Sequence, residues 1–316
     1  MKGPSKHLVP DGFENRRFDL ESGVFDGYVK RRDLEDEHRV HLGASDIANE
    51  CPRHIWYAWR WAYAPKHDPQ ILRLFQRGHR MENAFTMDLR SAECIVYPND
   101  VDGKQFEYGY LWNHCKVHLD GIALVPQQDG STKRMIVEMK TMSEKRFKSL
   151  ESDGLRKAHP DYYRQVQTQL LIVRHAQKNS PNDGPPESIR DKPIDGVIFF
   201  AENKNTDEIY IADVWDDLAM QAEIERFLQT LFLTGKAPPP IDCSENAPPC
   251  LWCDYKHICR EHHYEAIEKN CRTCDHGKPV CRGTHSLPHA VDGRWECAIG
   301  NEFGVVCDRW CMNREF

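Results

Sequence analysis

The sequence has no long hydrophobic run. Over 316 residues no stretch approaches a membrane span, and the opening Met1-Lys-Gly-Pro-Ser-Lys-His7 lacks the apolar core of a secretory leader. A cytoplasmic location is the default expectation. The chain has no excess of positive charge either: its net charge of -7 excludes a uniformly basic protein that coats nucleic acid. A reducing compartment does not normally preserve disulfides, so the 13 cysteines need another explanation, and for the clustered ones that is metal binding. The hydrophobic fraction of 40% and charged fraction of 29% are those of a globular protein, long enough for one large domain or two smaller ones.

Charge is unevenly distributed. Arg53, Arg60, Lys66, Arg73, Arg77 and Arg80 face one acid, Asp68, over residues 53–80, and basic residues again outnumber acids over 133–174. A polyanionic substrate would be drawn to such stretches.

Residues 1–40 are polar and read as an N-terminal extension with little core. Ser45 or Asp46 can cap a first short helix, Pro52 can start an aromatic one, and 70–90 reads as a third that contains Gly78. Strands are expected near 106–112, 116–125 and 134–140, then a helix near 142–152 and a clearer one from Asp161 to about Ala176. The loop from Lys178 to Lys192 is rich in Pro, Asn, Asp and Gly. Strands near 195–202 and 208–214 follow, then a helix from Asp216 to about Leu233, closed by Pro238-Pro-Pro240. This order gives an α/β (α+β) fold, a mixed sheet flanked by helices.

The most informative stretch runs from His118-Leu-Asp120-Gly121 through a Gln127-Gln-Asp-Gly130 turn to Ile136-Val-Glu138-Met-Lys140-Thr141. It reads as two paired strands joined by a turn. Strand alternation puts Glu138 and Lys140 on one face and Val137 and Met139 on the other. Two carboxylates and a lysine on one sheet face suit metal-assisted phosphodiester hydrolysis, because hard oxygen ligands hold Mg2+ or Mn2+ and a cation helps the attacking water. On the helix from Asp161, Tyr162, Gln165 and Gln169 share one face, while Tyr163, Val166, Leu170 and Val173 recur at helical spacing.

These residues resemble the PD-(D/E)XK nuclease superfamily, in its RecB-like and lambda-exonuclease-like branches. Asp120 and Glu138-Met-Lys140 match its Asp…(D/E)-x-K signature, Gly78-His-Arg-Met-Glu82 matches an upstream Gly-x-x-x-Glu, and Tyr162-Tyr-Arg-Gln165-Val-Gln167 is similar to its Tyr/Gln motif. The resemblance covers roughly residues 43–260. It implies a restriction-endonuclease-like core and a Mg2+- or Mn2+-dependent DNA exonuclease of phage or bacterial recombination and DNA processing. DNA is the implied partner, with a recombination or single-strand-annealing protein as a further one. It also implies roles: Asp120, Glu138, the Met139 carbonyl and Glu82 hold metal, Lys140 orients the water or offsets charge, and Tyr162 and Gln165 position the strand or Lys140 by hydrogen bonds.

Cys250-Leu-Trp-Cys253-Asp-Tyr-Lys-His-Ile-Cys259 holds three closely spaced thiols, and a tetrahedral site needs a fourth. Cys51 is the first candidate and Cys243 the competitor. RecB-like nucleases with an iron-sulfur cluster show the same split, so the resemblance implies a 4Fe-4S cluster at Cys51, Cys250, Cys253 and Cys259; Zn2+ is the competing metal. Pro249-Cys-Leu-Trp-Cys253 is also half of a zinc-deaminase signature, but the His-x-Glu half is missing. Cys94 and Cys115, isolated in strand-like sequence, read as buried fillers.

From 264 onward the sequence reads as a small cysteine-rich zinc-binding domain, because so short a stretch buries little core without a metal. Cys271, Cys274, Cys297 and Cys307 are the first choice of Zn2+ ligands. Cys311, Cys281 and His285 remain substitutes, and the domain either contacts DNA or docks on the nuclease. Two other functions remain open: a catalytically silent nucleic-acid-binding protein, and a structural or regulatory zinc protein. The latter gives Asp120, Glu138, Lys140 and the Tyr/Gln helix no common purpose.

Overall fold

The structure, a computed structural model, describes residues 20–35, 38–66, 68–179, 193–242, 244, 246, 248–282, 293–304 and 307–316. Most of the 178–192 loop, Cys243, His285 and His289 lie outside the described residues. By mutual contact the chain forms two units, residues 1–37 with 66–79, and 38–65 with 80–316.

The first unit contains helix α1 (Leu20–Glu35) and the beginning of α4 (Pro69–Ser91). Within it the Tyr28 hydroxyl donates to Gln76 Oε1 at 2.7 Å, and the Arg73 guanidinium lies over the rings of Phe25 and Tyr28. The polar extension read in the sequence thus carries a helix.

In the second unit, α2 (Ala44–Ile47) and α3 (Pro52–Trp59) precede the sheet. The N-cap of α2 is Gly43, and Asp46 caps from inside the first turn by accepting the Gly43 N–H at 2.8 Å. Pro52 opens α3, where a missing N–H costs nothing. The main sheet has the order β1 (Ile95–Tyr97), β4 (Gly121–Pro126), β5 (Thr132–Met142), β6 (Gly196–Asn203) and β7 (Ile209–Val214). Only β5 and β6 pair in parallel, so the sheet is mixed, and the crossover between them is α5 (Glu144–Ala158) and α6 (Pro160–Asn179). Every residue of β6 is buried, as a central strand covered on both faces requires, while β7 alternates like an edge. Helix α7 (Leu218–Thr234) ends at Gly235 in the left-handed conformation.

The strand expected over 116–125 is two strands in two sheets. β3 (Cys115–Leu119) pairs with β2 (Phe106–Tyr110) in a separate ribbon, and β4 starts at Gly121, leaving Asp120 at the crossing. Apolar residues on both sides, Val117 and Leu119 before it and Ile122 and Leu124 after it, conceal the break. Gly121 marks it, since a Cβ there would come within 3.1 Å of the Tyr97 carbonyl. The expected β4–β5 hairpin is present: its turn is closed by Gly130 N–H to Gln127 O at 3.0 Å, with Gly130 at a φ of +79°.

Each face of the main sheet is covered. Met135, Val137 and Met139 of β5 join Phe85 and Leu89 of α4, and Ile136 faces the larger core with Val166, Leu170 and Val173 of α6. This α6 side receives Glu138 and Lys140. Among the described residues no helix is long and apolar enough to cross a membrane.

Candidate active site

Glu138 is almost fully buried, at 2% exposure, in the middle of β5. An ionised carboxylate survives there only if its lone pairs are filled, and α6 fills them. Gln165 Nε2 donates to Glu138 Oε1 at 2.7 Å and Gln169 Nε2 to Oε2 at 2.5 Å. These residues are one helical turn apart, on the face that looks at β5. The Lys140 ammonium, two residues along the same strand face, pairs with Glu138 Oε1. Burial alone would lower the lysine, but Glu138 and Asp120 more than reverse it and hold it above the ordinary range.

Asp120 sits where the chain leaves the ribbon for the main sheet, and its Oδ2 accepts the Met139 N–H at 2.9 Å. The register ends at the Gly121–Val137 pair, so the carboxylate replaces the strand that β5 lacks beyond that point. Burial raises the Asp120 carboxyl to about 7, and Glu138 adds to the rise; Lys140 and the Met139 N–H oppose it, and Glu82 of α4 adds a further negative field. Asp120, Glu138, Lys140 and Glu82 are therefore one electrostatic group.

Tyr162 differs from expectation in how it acts. Its ring face, rather than a hydrogen bond, meets Lys140, with Nζ 5.4 Å from the centroid, and Arg146 of α5 lies 4.8 Å from the same ring. Gln167 of the resembling motif turns away: it donates to Trp215 O and accepts from the Asp217 N–H at 2.9 Å, fixing the start of α7. Gln169 takes the second place on Glu138. Its spacing of four from Gln165 is the sequence signal for this role, whereas Arg146 carries no such signal.

The donor set suits a hard divalent cation. The negative field that Glu138 and Glu82 place on Asp120 is relieved by added positive charge. The Gln169 Oε1 beside them is buried and accepts no hydrogen bond from the described residues. Among those residues no three His, Cys, Asp or Glu side chains form a ready-made coordination shell.

The cysteines gather at two other places. Cys51, Cys250, Cys253 and Cys259 line one cavity of about 620 Å3, with His54 and Arg260. His54 Nδ1 lies 3.4 Å from Cys253 Sγ, and Arg260 Nη2 donates to Cys250 Sγ at 3.6 Å. Cys51, Cys253 and Cys259 are free thiols, whereas Cys250 is in a disulfide, so a four-thiolate shell requires its reduction. Cys271, Cys274, Cys297 and Cys307 line a second cavity of about 20 Å3. Cys115, fully buried, donates to Tyr110 O, and Cys94 is buried too, as fillers should be.

No family model and no curated protein matches the chain. Among solved structures it is similar to SSO0001, at 13% identity over 78% of this chain and 98% of that one, with a TM-score of 0.41. It is also similar to LHK-Exo, an alkaline exonuclease from Laribacter hongkongensis, at 13% identity over 67% of this chain and 91% of that one, with a TM-score of 0.39. The dAMP complex of LHK-Exo gives 14% identity over the same shares, with a TM-score of 0.38. The likeness is one of fold at low identity. The fold is α/β, a central mixed sheet flanked by helices.

Proposed function

We propose that this protein is a metal-dependent deoxyribonuclease that hydrolyses phosphodiester bonds, acting as an exonuclease in DNA recombination or processing. The observation that carries the reading is the convergence of Asp120, Glu138 and Lys140 on one sheet face, with Glu138 locked by Gln165 and Gln169.

Asp120, Glu138 and the Met139 carbonyl would hold Mg2+ or Mn2+, with Glu82 completing the set. The ion, when bound, supplies positive charge against the phosphate and favours deprotonation of the attacking water. The remaining roles belong to the side chains. Gln165 and Gln169 keep Glu138 in one rotamer, so its oxygens need no reorganisation when substrate arrives. Lys140 is charged at neutral pH and lies between the carboxylates and the Tyr162 ring, where it orients the water or offsets the charge that develops on phosphate oxygens. Arg146, half-exposed beside Tyr162, offers a guanidinium to the backbone of an arriving DNA strand. A recombination or single-strand-annealing partner follows from the family resemblance alone.

Cys51, Cys250, Cys253 and Cys259 would hold a 4Fe-4S cluster; the shared cavity of about 620 Å3 and the sulfur donor set support it, with Cys250 reduced. Such a group would tie the start of α3 to a segment some two hundred residues later. Absence of iron from protein purified without oxygen would overturn this assignment, and zinc in its place would give the cavity to the competing metal.

The deciding experiment compares wild type with Lys140→Ala on end-labelled linear and closed circular DNA, with Mg2+ or Mn2+. Degradation of the linear form alone, lost in the variant, is the expected result. Intact DNA under both metals, with binding retained, would replace the nuclease by a silent DNA-binding protein.

A further inference from the structure

The narrower cysteine cavity does not belong to the carboxylate site. Cys271 and Cys274 lie on a tight turn that leads into β8 (Gly277–Pro279), and Cys297 ends β9 (Trp295–Cys297), whose register places it opposite Gly277. Cys307 arrives from the following loop, and all four side chains line a cavity of about 20 Å3. A single water-sized sphere needs roughly 10–15 Å3, so this space suits one ion and no cluster.

Two further features set these thiols apart from ordinary packing. The Gly304 N–H donates to Cys271 Sγ at 3.3 Å and Asn301 Nδ2 to Cys307 Sγ at 3.2 Å. Donors aimed at sulfur are what the outer shell of a metal site supplies to its ligands. The chain also wraps so closely that a Cβ on Gly277 would stand 1.9 Å from the Cys271 carbonyl oxygen, which restricts that position to glycine. None of the four cysteines is in a disulfide. Of the competing ligands, Cys281 lies elsewhere and donates to the Phe232 carbonyl at 3.4 Å. Cys311 stands at the rim, where its Sγ meets Cys274 and lies 3.6 Å from His276 Nε2, but it does not line the cavity.

We propose that Cys271, Cys274, Cys297 and Cys307 form a tetrathiolate site for one Zn2+, that Gly304 and Asn301 stabilise its sulfurs, and that the site locks the tail onto α3. The four sulfurs do not meet as a closed shell here, so loading turns their side chains inward. The locking element is Arg272, between the first two ligands. It is 2% exposed, donates to Trp59 O at 3.0 Å and Val40 O at 2.7 Å, and stacks 3.7 Å from the Trp61 ring centroid. Arg60 returns the contact by donating to Arg272 O at 2.9 Å. A metal held by these cysteines would therefore act on the core through Arg272.

The test uses the full chain and is independent of DNA cleavage. Zinc is measured in the native protein and in Cys297→Ser, Cys307→Ser, Cys281→Ser and Cys311→Ser. The expected result is one zinc that the first two variants lose and the last two keep. If the first two do not fold, Co2+ loaded into native protein decides, because a tetrahedral four-sulfur site gives intense sulfur-to-metal charge-transfer absorption. Asn301→Leu should keep the ion but release it to a chelator about ten-fold faster. Iron in place of zinc, zinc retained by Cys297→Ser and Cys307→Ser, or a cobalt spectrum without sulfur ligation would each overturn the proposal.

Discussion

The carboxylate site and the cysteine cavities show two ways of arranging ligands. At the first, the protein supplies nearly every partner: two glutamines and a lysine on Glu138, a backbone N–H on Asp120. At the second, sulfurs line open space, with donors such as Asn301 on Cys307 and the Gly304 N–H on Cys271 beside them. The sheet site keeps its geometry through hydrogen bonds to rigid elements, whereas the cysteine sites depend on what they bind. The two cysteine cavities differ in turn: the narrow one is closed mainly by the local 271–307 segment, the wide one by residues from distant parts of the chain.

The sharpest way to break this comparison is Glu138→Ala. Cleavage should fall by about a thousand-fold, of the order seen when a preorganised electrostatic group is removed, while zinc and iron contents stay unchanged. Loss of metal from the cysteines in that variant would show that the sites are not independent.

Acid should weaken the place where the tail packs on the core. His114 is fully buried among Trp59, Phe232 and Trp295, with Nε2 3.3 Å from Val280 O, and burial lowers its pKa from 6.5 to about 4. The folded pKa lies below the unfolded one, so the unfolded chain binds the proton first. The contribution is complete above pH 6.5, declines as pH falls, and is lost below about 4. At about 1.4 kcal/mol per pH unit the loss is on the order of 3 kcal/mol. The raised Asp120 carboxyl contributes with the opposite sign over the same range. The difference between wild type and His114→Phe in denaturant titrations from pH 7 to 4 therefore isolates the histidine: the variant should lack this loss.

Gly277→Ala should cost about 1–3 kcal/mol, from the clash with the Cys271 carbonyl. A lowered melting temperature with cleavage unchanged at low temperature would keep the two regions separate; a melting temperature equal to wild type would mean that the turn can open. The smallest effect is expected from Gln169→Ala, which removes one of Glu138's donors. About ten-fold loss of cleavage, recovered partly at higher metal concentration, is the expected result; Gln167→Ala should instead change stability, since Gln167 serves the start of α7.

Much of this arrangement was legible in the chain. The alternation around Glu138 and Lys140, the turn at Gly130, the crossover helices and the cysteine groupings are local patterns of period, spacing and residue type. Three features were not. The break at Asp120 hides because apolar residues continue on both sides of it, both resulting strands being largely buried where they meet. The spacing of Tyr162, Gln165 and Gln169 put these three on one face, but that this face rather than the one with Gln167 meets β5 is decided by packing. The roles of Arg146 and Arg272 come from packing between segments far apart in sequence.

The sequence by itself determined which residues carry charge, sulfur and amide donors, and on which side of each strand or helix they emerge, because those follow from the backbone's own periods. Only the tertiary structure decided that Asp120 would cap β5 at a sheet crossing, that α6 would bring two amides to one buried carboxylate, and that the tail would seat Arg272 against α3. Those outcomes depend on burial: a charged or polar group removed from water must find its partner, and the partner comes from whichever element the fold packs against it.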